Sequence, residues 1–241
     1  MGNEEPVSTM GRERMIVLLG DSIFDNGSYV KEGESDVLGH LRQELKPYNQ
    51  NAELLARDGA VTAEVINQMS DLDSHKPTHL VISCGGNDAL QVRYGLSELM
   101  NMMVSPNLLG AIKTIGNLTN LLGSLLEIRS RFQVDYSNLL AAARRTELAV
   151  VVCTIYDKCP GVEEYERMLL SIFNDIIISQ ASSYAIPVID LRAICNEPSD
   201  YSDVSPIEPS THGAAKIAKR IAMVAMKHDF NLPHTVIYQD R

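Results

Sequence analysis

Three short stretches of the chain carry residue types that acyl transfer uses. The first is Gly20-Asp21-Ser22-Ile23-Phe24-Asp25-Asn26-Gly27, where a glycine permits a sharp turn and Ser22 offers a hydroxyl. The second is Arg57-Asp58-Gly59-Ala60, whose glycine lets a backbone N–H approach a ligand closely. The third is Cys84-Gly85-Gly86-Asn87-Asp88, in which the Asn87 amide has an NH₂ to donate to an oxyanion. Each alone reads equally well as a turn or a helix N-cap, because Gly, Asp, Asn and Ser are favoured at both. Together they supply a nucleophile, a backbone donor and a side-chain donor, the set that acyl transfer requires.

The elements around them explain how they would meet. Apolar runs at Met15–Leu19, Glu53–Ala56, His79–Ser83, Leu148–Thr154 and Pro187–Asp190 read as buried parallel strands. Between them lie helical patterns: Val37, Leu38, Leu41 and Leu45 on one face, then Thr62–Met69, Glu163–Tyr184 and Pro209–Lys227. Strand–helix alternation predicts an α/β fold of three layers, α/β/α, with a five-stranded parallel sheet in the flavodoxin-like order 2-1-3-4-5. Ligands of such sheets bind beyond the carboxyl ends of the strands, and the three stretches directly follow the first three strands. Asp157 follows the fourth. Asp21, Asp25, Asp88 and Asp157 are accordingly expected at the same edge as binding residues. A helical insertion is expected over about 95–145, where Met100, Met102 and Met103 precede a stripe of Leu108, Leu109, Ile112, Ile115, Leu118, Leu122 and Leu125. It reads either as a core-facing helix pair with methionine filler or as a cap over an apolar pocket.

The chain resembles the SGNH hydrolases, also called the GDSL esterase/lipase family, from about Met15 to Lys227. Gly20-Asp21-Ser22 is similar to the family's first block, Gly59 to the glycine of the second, and Gly85-x-Asn87-Asp88 to the third. The resemblance implies Ser22 as nucleophile, with the Gly59 N–H and Asn87 as oxyanion hole. The Gly-x-Ser-x-Gly pentapeptide of the α/β-hydrolases is absent, since position 24 is Phe. The family's last block, Asp-x-x-His-Pro, is replaced by Ser205-Pro206-Ile207-Glu208-Pro209-Ser210-Thr211-His212-Gly213. Aligned on the proline and on Gly213, Glu208 takes the histidine's place and Ser205 the aspartate's. Glu208 and His212, four residues apart and so on one helix face, are the candidate bases, with Asp203 available to orient His212. A glutamate with an ordinary pKa of about 4.3 accepts a serine proton poorly at neutral pH, unless burial raises it.

The resemblance implies a serine-dependent ester (acyl) hydrolase acting on a small-molecule or lipid ester, with no metal and no cofactor. The alternative is an acyl- or ester-binding protein with weakened or no turnover. A purely structural module and a nucleotide-binding flavodoxin-like protein fit less well, the latter because no Gly-x-Gly-x-x-Gly follows the first strand.

The chain of 241 residues is long enough for one sizeable core, expected over 14–241 behind a disordered tail over 1–13. Lys plus Arg number 21 and Asp plus Glu 31, a net charge of −10, which disfavours nucleic acid as a partner. No run reaches the roughly 20 apolar residues of a membrane span. The polar start MGNEEPVSTMGRERM has no signal-peptide h-region. Cys84, Cys153, Cys159 and Cys195 do not make a disulfide scaffold, so the expected location is the cytoplasm.

Overall fold

The computed structural model describes residues 14–91 and 108–239. Six parallel strands, β1 (Met15–Gly20), β2 (Asn51–Leu54), β3 (His79–Ser83), β4 (Ala149–Cys153), β5 (Val188–Ile189) and β6 (Ile237–Tyr238), form one sheet in the order β2-β1-β3-β4-β5-β6. The helices are α1 (Val37–Leu45), α2 (Thr62–Gln68), α3 (Leu72–His75), α4 (described over 86–91), α5 (Leu108–Arg145), α6 (Glu164–Ser183), α7 (Leu191–Ile194) and α8 (Thr211–Lys227).

Alternate strand residues face opposite layers, as the pleat dictates. Ile16 and Leu18 pack with Val81, Val151 and Ile189 against Leu41 and Leu45 of α1 and Ile217, Ile221 and Val224 of α8. Val17 and Leu19 pack with Leu80, Ile82 and Val152 against Val65 of α2, Leu139 and Leu140 of α5, and Phe173 and Ile177 of α6. The sheet is therefore covered on both faces, the three-layer arrangement expected of near-continuous apolar strands.

The sheet has six strands rather than five. β6 is two residues long and half-exposed, pairing parallel with β5 through Val188↔Ile237 and Ile189↔Tyr238, too short to leave an apolar run. β2 lies two residues earlier than the expected 53–56. Asn51 is exposed at this edge of the sheet, so pairing there does not depend on an apolar side chain. The expected start of the last helix at Pro209 moves to Thr211, because Ser210 is its N-cap and accepts from the His212 and Gly213 N–H groups.

The described part of the insertion is one 38-residue helix, α5. Its C-terminal half brings Phe132, Tyr136, Leu139, Leu140 and Ala143 into the core at helical spacing. Met100, Met102 and Met103 lie outside the described residues, and of the expected stripe only Leu125 falls where side chains are described. No helix among the described residues is long and apolar enough to cross a membrane.

Gly20 fixes how the first two catalytic-edge loops leave the sheet. Its φ is +139°, and a Cβ there would stand 1.8 Å from the Ser83 carbonyl oxygen, so no other residue fits between β1 and β3. The Gln68 side chain ties both backbone groups of Gly20, donating to its O and accepting from its N at 2.8 Å each.

Candidate active site

Ser22 sits on a single turn after β1. The Asp21 N–H donates to Ser83 O, and the Phe24 and Asp25 N–H groups both donate to Asp21 O. Inside this turn the Ile23 N–H donates to Asp21 Oδ1 at 3.1 Å. Ile23 and Phe24 are buried beneath it, which holds Ser22 at the mouth of a cleft. The Ser22 hydroxyl donates to Glu208 Oε1 at 3.0 Å.

Glu208 comes from the loop before α8 and not from the helix itself. Its N–H donates to Ser205 O, and its carbonyl accepts from the Ser202 N–H. On either side the loop is held by neighbouring elements. Asn26 Nδ2 donates to Pro209 O at 3.1 Å, and the Tyr156 hydroxyl donates to Ile207 O at 2.7 Å. Glu208 is only 6% exposed, and burial pushes its carboxyl up to about 7, helped by the nearby Asp58 and opposed by the Ser22 hydrogen bond. Its second oxygen, Oε2, is buried without a hydrogen-bond partner. Burial drives Asp21 further, to about 8, with the Glu208 and Asp88 charges adding to the effect. Both carboxyls respond to the same cause, since the charged form loses solvation and no cation among the described residues offsets it.

The second and third loops meet beside Ser22. Gly59 has φ +79° and is exposed, and it is not among the residues that line the cleft beside Ser22. Asn87, near the start of α4, gives one N–H of its amide to Ala60 O at 3.0 Å, which fixes the amide beside the Gly59 turn. Ser22, Asn87, Asp21 and Glu208 all line one cleft that is open to solvent on one side.

The remaining expected residues have other partners. Asp88 Oδ2 accepts from both Thr62 N and Thr62 Oγ1 at 2.9 Å, pinning the start of α2 under the Asn87 loop. Asp25 Oδ2 accepts from the Asp58 N–H at 2.9 Å, joining the first loop to the second. Asp157 is half-buried and not part of the cleft wall; its carbonyl accepts from Arg167 Nε. His212 lies in the first turn of α8 with an exposed ring whose Nε2 is 3.6 Å from Asp200 Oδ1. It is on the helix whereas Glu208 is not, so the two do not share a helix face. Asp203 pairs with Lys31 on the surface at 2.9 Å and does not orient His212.

Glu197, Asp200 and His212 offer ligand atoms within 4.8 Å of one another. Lys216 Nζ already stands 2.8 Å from Asp200 and 3.5 Å from Glu197, so a metal ion there would have to displace an ammonium group. The cluster reads as an ion-pair network at the start of α8.

Asn26, Tyr156 and Ser210, which carry the Glu208 loop, were not singled out by residue type. Asn26 had one available signal, its place four residues after Ser22 in the same loop. Tyr156 and Ser210 had none beyond their position at the catalytic edge.

The family model of the GDSL-like lipase/acylhydrolase family matches residues 18–216. No curated protein matches the chain. Among solved structures, an α/β hydrolase enzyme from the metagenome of Lake Arreo, Spain, superposes with a TM-score of 0.62 at 16% identity, covering 88% of this chain and 94% of that one. The psychrotrophic esterase EstA from Pseudoalteromonas sp. gives 0.58 at 13% identity, covering 88% and 96%. A catalytic mutant of an acetylxylan esterase from Geobacillus stearothermophilus gives 0.62 at 13% identity, covering 92% and 97%. At these identities the likeness is one of fold.

Proposed function

The chain belongs to the GDSL-like lipase/acylhydrolase family, and from that premise we propose that it is a serine-dependent ester hydrolase with Ser22 as nucleophile and Glu208 as its general base. One observation carries the reading: the Ser22 hydroxyl donates to a buried carboxylate whose pKa is raised to about 7. A base with a pKa near the working pH combines a sizeable deprotonated fraction with useful proton affinity.

In this reading Ser22 Oγ attacks the ester carbonyl carbon as its proton passes to Glu208 Oε1. The oxyanion takes hydrogen bonds from Asn87 Nδ2 and from the Gly59 and Ser22 N–H groups. The tetrahedral intermediate collapses, the C–O bond to the alcohol breaks, and Glu208 returns the proton to the leaving oxygen. Water then attacks the acyl-Ser22 carbonyl, giving its proton to Glu208, and the acid and free Ser22 hydroxyl are released. The step needs no group outside the chain, the ester and water.

The substitution in the last block is the feature to test. A structure of EstA is described as inhibited by monoethylphosphonate, and phosphonylation reads out an activated serine directly. Wild type, Ser22→Ala and Glu208→Gln are treated with a fluorophosphonate and followed by intact mass. Wild type is expected to gain one adduct, Ser22→Ala none, and Glu208→Gln to react at least about a hundredfold more slowly, the usual loss when a general base is removed. A folded wild type that takes no adduct would overturn the reading in favour of an acyl-binding protein.

A further inference from the structure

We propose that Asp21 is a further catalytic residue, a neutral carboxylic acid whose O–H donates to the oxyanion that forms when Ser22 attacks an ester. This rests on Ser22 being the esterase nucleophile. Asp21 directly precedes Ser22, is only 1% exposed and lines the same cleft. Its two oxygens have different surroundings. Oδ1 accepts from the Ile23 N–H at 3.1 Å, which fixes the carboxyl within the turn. Oδ2 faces the third loop, where a Cβ added at Gly86 would stand 3.6 Å from it. Among the described residues the bond to Ile23 is the carboxyl's only one to another residue, and Oδ2 is left for a ligand. Gly86 and Asn87 line the cleft at that corner.

An ester on Ser22 with its carbonyl oxygen toward Asn87 brings that oxygen to the corner that Oδ2 faces. Asn87 has one amide N–H on Ala60 O, which leaves one for the oxyanion. A charged Asp21 would repel the oxyanion, whereas a neutral one donates to it. Burial and the Glu208 and Asp88 charges raise the Asp21 carboxyl to about 8, so it keeps its proton at neutral pH. Because Oδ1 accepts from Ile23, that proton sits on Oδ2. An O–H bonds an anion more strongly than a neutral carbonyl, so the contact favours the transition state over the bound ester. Asp21 gives no proton away. Its O–H bond persists while the intermediate forms, and the contact weakens when the carbonyl returns. Glu208 must be ionised and Asp21 neutral, and both hold between about 7 and 8.

Wild type, Asp21→Asn and Asp21→Ala are compared on phenyl acetate from pH 6 to 9.5, with urea midpoints at both ends to show that each is folded. The wild-type plateau that begins at about 7 should end at about 8, with kcat/KM then falling about tenfold per pH unit. The other titratable groups around Asp21 do not give that fall. Glu208 titrates on the rising side, Thr62 hydrogen bonds favour the charged form of Asp88, and burial pushes Cys84, Cys153 and Tyr156 above this range. Asp21→Asn keeps an N–H for the oxyanion and an acceptor for Ile23 and cannot ionise. It should stay within about tenfold of wild type at neutral pH and show no fall above 8. Asp21→Ala should lose about 10²–10³ in kcat with KM little changed. A carboxyl that only accepts from Ile23 serves in either protonation state and predicts a plateau to 9.5. That plateau in wild type, or a folded Asp21→Ala with kcat within about fivefold, overturns the donor and leaves Ser22 as nucleophile. If Asp21→Ala does not fold, the profiles of wild type and Asp21→Asn decide. A folded wild type that turns over no ester removes the hydrolase reading, and Asp21 as donor with it.

Discussion

A surface glutamate loses its proton near about 4.3 and is a weak acceptor for a serine hydroxyl at neutral pH. Glu208 is placed otherwise, since its carboxyl is buried, one oxygen is held by Ser22, and the pKa rises to about 7. The rate consequence has a definite sign. The deprotonated form is the base, so kcat/KM for an ester should climb about tenfold per pH unit below 7 and level off above it. Glu208→Gln should lower the plateau by about 10²–10⁴ and erase that limb. A pH–rate profile from 5 to 9 on both proteins checks this. A limb centred near 4–5 in the wild type would mean that the carboxyl titrates as if exposed, and the assignment of the base would fail.

The loop that carries Glu208 is positioned by three elements at once: Asn26 after β1, Tyr156 after β4 and the Ser210 cap of α8. Tyr156 touches the loop through a single bond from its hydroxyl to Ile207 O, one residue from the carboxylate. Removing that donor leaves the carbonyl of a well-packed loop unpaired. Tyr156→Phe should cost about 1 kcal/mol of stability, read as a urea midpoint. It should also shift the acid limb of the pH–rate profile downward, as the loosened loop admits water to Glu208. A purely structural tyrosine would move the midpoint and leave the limb in place. The same elements show what the sequence makes legible. β1, β3 and β4 are unbroken Val, Ile and Leu runs buried on both faces, and the loops behind them can be located by counting. β6 and the true edge of β2 are not legible, because two residues at an edge carry no period. That Glu208 stands where the family resemblance expects a histidine is read from Pro209 and Gly213. The start of α8 at Thr211, which leaves Glu208 off the helix, depends on the Ser210 cap, a residue type too common in loops to mark it. Desolvation of Glu208 is a property of packing between distant segments and has no local signature.

At the scale of the molecule, the sheet sets two buried titratable sites of opposite sign at its two ends. His79 opens β3 and Asp21 packs against Ser83 at its close, four residues later, about 13 Å along the strand. Burial, with the Arg14 charge, lowers His79 to about 4, so its contribution to stability is whole above about 6.5 and is lost as pH falls through 4. Asp21, raised from 3.8 to about 8, behaves inversely. The folded state holds its proton more tightly than the unfolded chain, so its contribution is whole below about 4 and is lost as pH rises through 8. The two slopes oppose and cancel between about 4 and 6.5, and Glu208, raised from 4.5 to about 7, adds a loss of the same sign as Asp21, so wild-type stability should fall as pH rises from about 5 to 8. His79→Phe, which keeps a ring against Phe230, should steepen the fall below about 6.5 by removing the opposing slope, and leave kcat/KM unchanged, since His79 is at the sheet end away from Ser22. Asp21→Asn, which mimics the protonated acid and keeps an acceptor for the Ile23 N–H, should remove the fall between about 7 and 8 and lessen it below 7. Sites this far apart with no shared partner add to within about 0.5 kcal/mol, so the double variant should keep only the Glu208 slope between about 4.5 and 7. Guanidinium midpoints from pH 4 to 9 on the four proteins decide it. A double variant that keeps the wild-type fall between pH 7 and 8 would place the excess proton of the folded state there on a group other than Asp21.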